Sequence, residues 1–264
     1  MRFWEILRGY FPLALEITDK WTWFRARKCA DAEGYGHLDQ MLYPPADLCT
    51  GYGRANLPGL PSLYASSTLV TALDETRPNA GDFVQAIVIR ARPGVQYPCH
   101  VVGETERVTK SGHSSMGLKT TEEHFITEYQ CGITNKHLTD LFIDSFFAAW
   151  FRERVDEPLD YKKTAIYSSL IHGLGSGLIY PGVMSAGAGN IAIPATDFDK
   201  YFEVFFTTLY RGMSDRRSPT NRSKERPAAR DPFDWLRHFG VLGGPTATIP
   251  LADVKRRRDP GFRA

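Results

Sequence analysis

A guanidinium, a phenol and a carboxylate arrive in quick succession between residues 53 and 78. The stretch Gly53-Arg54-Ala55-Asn56-Leu57-Pro58-Gly59-Leu60-Pro61-Ser62-Leu63-Tyr64-Ala65-Ser66 is followed by Thr71-Ala72-Leu73-Asp74-Glu75-Thr76-Arg77-Pro78. Its glycines and prolines fix a loop that presents the Arg54 guanidinium and the Asn56 amide. A short strand then ends in Tyr64, and a helix returns with Glu75. Arg54 precedes Tyr64 by 10 positions and Glu75 by 21, a separation that a strand and a returning helix can fold into one cleft. Two readings stand on the residue types alone: a binding or catalytic cleft, or an Arg–Glu ion pair that serves only structure.

The elements that must position these groups are read from periodicity. Residues Thr22 to Arg27 and Leu63 to Ala65 have strand character, and Ser67 opens a helix through Leu69, Val70, Ala72 and Leu73 that stops before Pro78. Phe83 to Ala91 is a Val- and Ile-rich strand. Asn135 opens a long helix whose stripe of Leu138, Leu141, Phe142, Phe146 and Trp150 is expected to face the core. A second helix from Asp160 to about His172 should bury Ala165, Ile166 and Leu170, and a third should run from Asp197 to Tyr210. Strands are expected at Leu178-Ile179-Tyr180 and Asn190 to Pro194. The first 18 residues, with Phe3, Ile6, Leu7 and Tyr10 in helical register up to Pro12, read as a helical appendage. Strand and helix mix without regular βαβ alternation, so the class is α+β, a compact mixed sheet flanked by helices.

Taken together, Gly-Arg-x-Asn-x-Pro-Gly-x-Pro-x-Leu-Tyr at 53–64 and Thr-Ala-x-x-Glu-x-Arg-Pro at 71–78 resemble the RES-domain family, named for its Arg, Glu and Ser. Phe24-Arg25-Ala26-Arg27 is similar to the family's opening strand. Gly177-Leu178-Ile179-Tyr180-Pro181 and Gly189-Asn190-Ile191-Ala192 are similar to its closing motif. The resemblance spans roughly Trp21 to Pro194. With the periodicity of the first residues and the charge of the last, the chain is read as three segments: an N-terminal helical appendage (1–20), a RES-like catalytic domain (21–210) and a basic, partly flexible C-terminal extension (211–264).

What the resemblance implies further is a fold similar to the ADP-ribosyltransferase toxins and degradation of NAD, by phosphorolysis or hydrolysis of the nicotinamide–ribose bond. Cleavage builds an oxocarbenium-like ribosyl cation, which a carboxylate steadies, while cations suit the diphosphate. Glu75 would serve the cation or orient the nucleophile, Arg54 would hold phosphate or ribose oxygens, and Tyr64 would stack on or hydrogen-bond the substrate. Arg25, Arg27, Asn56, Tyr180 and Asn190 would be further substrate contacts. NAD is then a substrate, with no metal and no other bound cofactor. A cognate antitoxin with a helix-turn-helix domain is the implied partner, and self-association is compatible with the reading. One position departs from the pattern: after Tyr180-Pro181 stands Gly182 where the family has its serine, and the nearest hydroxyl is Ser185. Rival readings are an ADP-ribosyltransferase acting on a protein or nucleic acid, and an inactive binding protein that has lost the serine.

Composition agrees with a globular chain. It has 264 residues, 42% hydrophobic and 23% charged, enough to fold without disulfides. Cys29, Cys49, Cys99 and Cys131 are scattered, no CxxC or HExxH occurs, and a zinc site would need distant residues. No run reaches the roughly 20 apolar residues of a membrane span, and the charged N-terminus lacks a secretory apolar region. A cytoplasmic, non-membrane location is expected. The formal net charge of +2 is uneven: Arg211 to Arg230 carries +5 and Lys255 to Arg263 carries +4, which leaves −7 elsewhere. The first run is interleaved with Ser, Pro and Asn like a solvated loop. The second lacks aromatic residues for base stacking, so direct nucleic-acid binding is not expected.

The displaced serine gives a paired prediction. Ser185→Ala slows NAD cleavage roughly tenfold, and Gly182→Ser is neutral or restorative. Product formation by the two variants, measured beside the parent chain, checks it; an unaffected Ser185→Ala in an active protein shows the hydroxyl to be dispensable.

Overall fold

The computed structural model describes residues 13–79, 81–114, 135–182, 189–211 and 247–248. In chain order the elements are β1 (Leu13–Ile17), β2 (Trp23–Cys29), β3 (Ser62–Ser66), α1 (Leu69–Thr76), β4 (Phe83–Ala91), β5 (Tyr97–Val101), α2 (Glu104–Ser111), α3 (Asn135–Arg152), α4 (Lys162–Gly173), β6 (Gly177–Pro181), β7 (Gly189–Pro194), α5 (Ala195–Tyr201), β8 (Phe202–Arg211) and β9 (Ala247–Thr248). Short 3-10 turns occur at Leu38–Met41, Ala46–Leu48 and Pro158–Tyr161. The described residues form two compact units: one takes in those up to Trp23 with those of Tyr43–Ser67 and Arg90–Glu203, the other those of Phe24–Leu42, Thr68–Ile89 and those from Val204 on.

The first unit is built on strands in the order β1-β5-β6-β7-β3. Pairs β1–β5, β6–β7 and β3–β7 are antiparallel, whereas β5–β6 is parallel. Strands β6 and β7 are apolar almost end to end and buried almost throughout, as central strands covered on both faces must be. Strand β1 alternates half-buried with exposed residues as an edge strand does. Helices α3 and α4 cover one face. Ile143, Phe147, Ala148 and Phe151 of α3 and Tyr167 and Ile171 of α4 pack with Leu178, Tyr180 and Ala192 of the sheet. Phe147 stacks on Tyr167 with ring centroids 4.1 Å apart, and Phe151 lies 4.9 Å from Tyr180. The rotation of α3 is fixed by a carboxylate. Helix α2 begins at Gly103, which has no side chain to cap it, and buried Asp144 of α3 accepts instead from the N–H groups of Gly103 (2.7 Å) and Glu106 (3.0 Å).

The second unit orders its strands β2-β4-β8-β9, with β8–β9 antiparallel. Thr68 caps α1 through its hydroxyl, which accepts from the Thr71 N–H at 3.1 Å. Leu73 of α1 packs with Val84, Ala86 and Tyr210. Fully buried Gln85 is satisfied from two sides: its amide oxygen accepts from the Tyr35 N–H at 2.6 Å, and its Nε2 donates to Thr207 Oγ1 at 3.0 Å.

The α+β class is as read from sequence, and β2, β3, β4, β6, β7, α1, α3 and α4 form where periodicity put them. Four expectations need correction. The row Leu138, Phe142 and Phe146 does not face the core: all three are exposed, and the buried row is Ile143, Phe147 and Phe151. Both rows are apolar at spacing four, so periodicity could not choose between them, whereas the Asp144 cap does. On α4, Ala165 is buried as expected but Ile166 and Leu170 are exposed. The third helix ends at Tyr201, and the aromatic and β-branched run from Phe202 pairs as strand β8. Leu13–Ile17, inside the segment read as an appendage, is a strand paired with β5. The helix expected up to Pro12, Ser185 and nearly all of the basic C-terminal extension lie outside the described residues.

One buried titratable group in α4 makes stability depend on pH. Burial lowers the pKa of His172 from 6.5 to about 4, opposed by Asp197 and by a main-chain bond at Ala192. Its Nε2 is buried without a hydrogen-bond partner among the described residues. As pH falls below 6.5 the unfolded chain takes up a proton that the folded chain refuses until about pH 4, so stability is full above that window and lost within it. The expected loss between pH 7 and pH 5 is about 2 kcal/mol, read from urea midpoints. His172→Gln should flatten that slope; an unchanged slope contradicts the assignment.

Candidate active site

The loop that carries Arg54 is closed by its own backbone and locked by Tyr64. The Gly53 N–H donates to the Asn56 carbonyl at 3.1 Å in a tight turn. The Tyr64 hydroxyl donates to Asn56 Oδ1 at 2.5 Å and accepts from the Ala55 N–H at 3.0 Å. Asn56 in turn donates from Nδ2 to the Leu57 carbonyl (3.2 Å) and to Cys49 Sγ (3.1 Å). A Cβ at position 53 would stand 2.1 Å from Asn56 Oδ1 and 2.9 Å from the Tyr64 hydroxyl. Only glycine allows that approach.

Arg54 leaves this loop toward the end of α3. Its Nη1 donates to the carbonyls of Phe151 and Glu153, and its Nη2 to the Tyr161 hydroxyl at 3.4 Å. The guanidinium carbon also lies 5.0 Å from the centre of the Tyr161 ring. These are carbonyls at a helix C-terminus, where intrahelical donors have run out and a cation is favoured. The Nε–H and the second Nη2–H have no partner among the described residues. Arg54 is therefore both an anchor and a half-buried cation with donors in reserve.

A second group is aligned across three strands. Tyr180 of β6 pairs with Asn190 of β7, which pairs with Ser66 of β3, so the three share one face of the sheet. Tyr64 lies two positions from Ser66 on that same face, opposite Ala192. Ser66 Oγ donates to Asn190 Oδ1 at 2.7 Å, and Ser66, Asn190 and Tyr180 are all buried. Ser67 continues the seam: its N–H donates to the Gly189 carbonyl at 2.8 Å and its Oγ accepts from the Gly189 N–H at 3.1 Å.

The remaining candidates belong to the second unit. Arg25 donates from Nε to the Met41 carbonyl (2.7 Å) and from Nη2 to the Leu42 carbonyl (3.0 Å). Arg27 donates to the Gln40 carbonyl and lies 5.4 Å from the Tyr35 ring centre. Both reach the 3-10 turn at 38–41 and its end, as two residues on one face of a strand should. Glu75 is exposed on the last turn of α1. Two residues later Arg77 adopts a left-handed conformation, φ 48°, and turns the chain into Pro78.

The structure thus brings together Arg54, Asn56 and Tyr64 in one locked loop, and Tyr180, Asn190 and Ser66 in one buried row. Tyr64 spends its hydroxyl on the loop, and Tyr180 packs on Phe151. Sequence reasoning missed Tyr161, which seats Arg54 from 107 residues away, and Ser66, which lay in the quoted motif without a role. Only pairing across strands could have matched Ser66 to Asn190. Compared with known proteins, the chain is matched over residues 22–205 by the family described as RES domain. No curated protein and no solved structure matches it.

The locked loop predicts a cost for removing one oxygen. Tyr64→Phe leaves Asn56 Oδ1 without its donor and the Ala55 N–H without its acceptor, a loss of about 2 kcal/mol. Thermal melts should show Tm lower by roughly 4–8 °C; a Tm within a degree of the parent contradicts the locking role.

Proposed function

The chain belongs to the RES domain family, and from that premise we propose that it is an NAD-degrading enzyme, the toxin of a toxin–antitoxin pair. The reaction is cleavage of the nicotinamide–ribose bond, on a fold akin to the ADP-ribosyltransferase toxins. The observation that carries the reading is the state of Arg54. Its orientation is set by bonds to the end of α3 and to Tyr161, while two N–H groups have no partner among the described residues and are offered to a substrate oxyanion. A planar fork held in this way binds diphosphate oxygens with little entropy left to lose.

Glu75 supplies the negative charge that the ribosyl cation calls for. As the C–N bond breaks, its electron pair leaves with nicotinamide and positive charge spreads over the anomeric carbon and ring oxygen. Phosphate attack there gives ADP-ribose 1-phosphate; water attack gives ADP-ribose and a proton. Both routes share one transition-state cation, so the roles of Arg54 and Glu75 hold for either acceptor. Asn56 acts by keeping the Arg54 turn closed, and Asn190 and Tyr180 by shaping the sheet beneath it. The family is associated with toxin–antitoxin systems, in keeping with an activity that would deplete a host's NAD.

Incubation of the purified chain with NAD, with and without phosphate, tests the proposal. Nicotinamide should appear in both incubations if water is the acceptor, and only with phosphate, beside a sugar product that carries it, if phosphorolysis is the route; intact NAD in both overturns it. Glu75→Gln keeps the side-chain shape and should lower turnover at least about 100-fold, on the order of 3 kcal/mol of transition-state stabilisation, with an unchanged melt. Full turnover by a folded Glu75→Gln removes Glu75 from the mechanism.

A further inference from the structure

The outer face of the α3–α4 pair carries an apolar patch between its ends. On α3, Leu138, Phe142 and Phe146 follow one another at spacing four; on α4, Ile166, Leu170 and Leu174 do the same from its second turn to just past its end. Their exposures run from 38% at Phe146 to 72% at Phe142. None of the exposed residues between Leu138 and Ala149, or between Ile166 and Gly175, is charged. The outer row of α3 is continuous: Phe142 stacks on Phe146 at 6.5 Å, and Phe146 meets Trp150 at 4.6 Å. Trp150 touches α4 through Lys163, whose ammonium lies 5.5 Å from its ring centre. Phe147, beside Phe146, stacks on Tyr167, beside Ile166. The two rows therefore border one surface.

Ordinary surface helices put charged residues on the side away from the core. Here the far side repeats the chemistry of the buried side. Taking roughly 200 Å² for a fully exposed Leu, Ile or Phe, the six side chains leave about 600 Å² of apolar surface, the top of the range for a monomer. With a rim around it, that matches the roughly 800 Å² per partner of a standard stable interface.

We propose that this face is a dimer interface that seats a second copy of the chain. A surface without charge offers no pattern to match a charged partner, and depletion of charge at the core is what homodimer interfaces show. Two parallel ridges at spacing four are also self-complementary under a two-fold axis: the ridges of one pair enter the grooves of the other, giving a four-helix layer. Lys163 and Glu153, ion-paired beside Trp150, lie at one end of the patch as part of its polar rim.

Sedimentation equilibrium of the full chain between about 1 and 100 µM tests this, since a standard interface of this kind holds at micromolar concentration or below. The expected mass is twice the 29.7 kDa of the single chain. Phe142→Asp and Leu170→Glu, one on each ridge, should each weaken association at least 100-fold while the far-ultraviolet circular dichroism and the melt stay unchanged, because both side chains are exposed. Phe142→Leu should still dimerise. A parent chain that is monomeric at 100 µM overturns the proposal, and so does a dimer that survives both charged substitutions, which would place the interface elsewhere.

Discussion

The carbonyls at the C-terminal end of α3 have no intrahelical donors, and the Arg54 guanidinium takes two of them. Much of the first unit depends on that contact. It ties the loop before β3 to the helix that covers the sheet, across nearly 100 residues of chain, and draws in Tyr161 just before α4. At the other end Asp144 caps α2 and sets which side of α3 faces inward. Between these two polar constraints the aromatic layer of Phe147, Phe151, Tyr167 and Tyr180 has one way to close.

The same contact bears on the proposed chemistry. A guanidinium free in solvent would lose rotamer freedom on gripping a diphosphate, whereas Arg54 has lost it during folding. Gly53, Asn56 and Tyr64 serve this arrangement from below, because the turn closes only when position 53 has no side chain and the phenol of Tyr64 bridges the backbone and the amide. Of the alternatives open at the level of residue types, the structure shows the anchoring arginine, and the proposed function adds the catalytic one to it. In its own unit the cation is an anchor with donors left over among the described residues.

The strands were legible because β-branched and aromatic runs bounded by Gly and Pro admit few alternatives, as Phe83–Ala91 shows. Helix α1 was legible from its start, although Thr68, not Ser67, is the cap. The rotation of α3 was not, since the helix is apolar over most of its circumference and the residue that orients it, Asp144, acts on a segment 38 to 41 positions away. Strand β8 was hidden because Phe202 to Arg211 follows a short helix without a Gly or Pro break. Of the site, the motif around Arg54 could be read as a unit, but the seat provided by Tyr161 and the Ser66–Asn190 bond exist only once distant segments meet.

The central claim is that Arg54 holds the diphosphate of NAD while the glycosidic bond breaks. The most direct measurement compares kcat/KM for NAD with that for nicotinamide riboside, which has the same scissile bond and no phosphate, in the parent chain and in Arg54→Lys. The account predicts a preference for NAD of at least about 100-fold in the parent, consistent with roughly 3 kcal/mol from charge-assisted bonds, and its collapse in Arg54→Lys through loss of activity on NAD alone. Equal use of the two substrates by the parent, or an Arg54→Lys protein that keeps the preference, would contradict it.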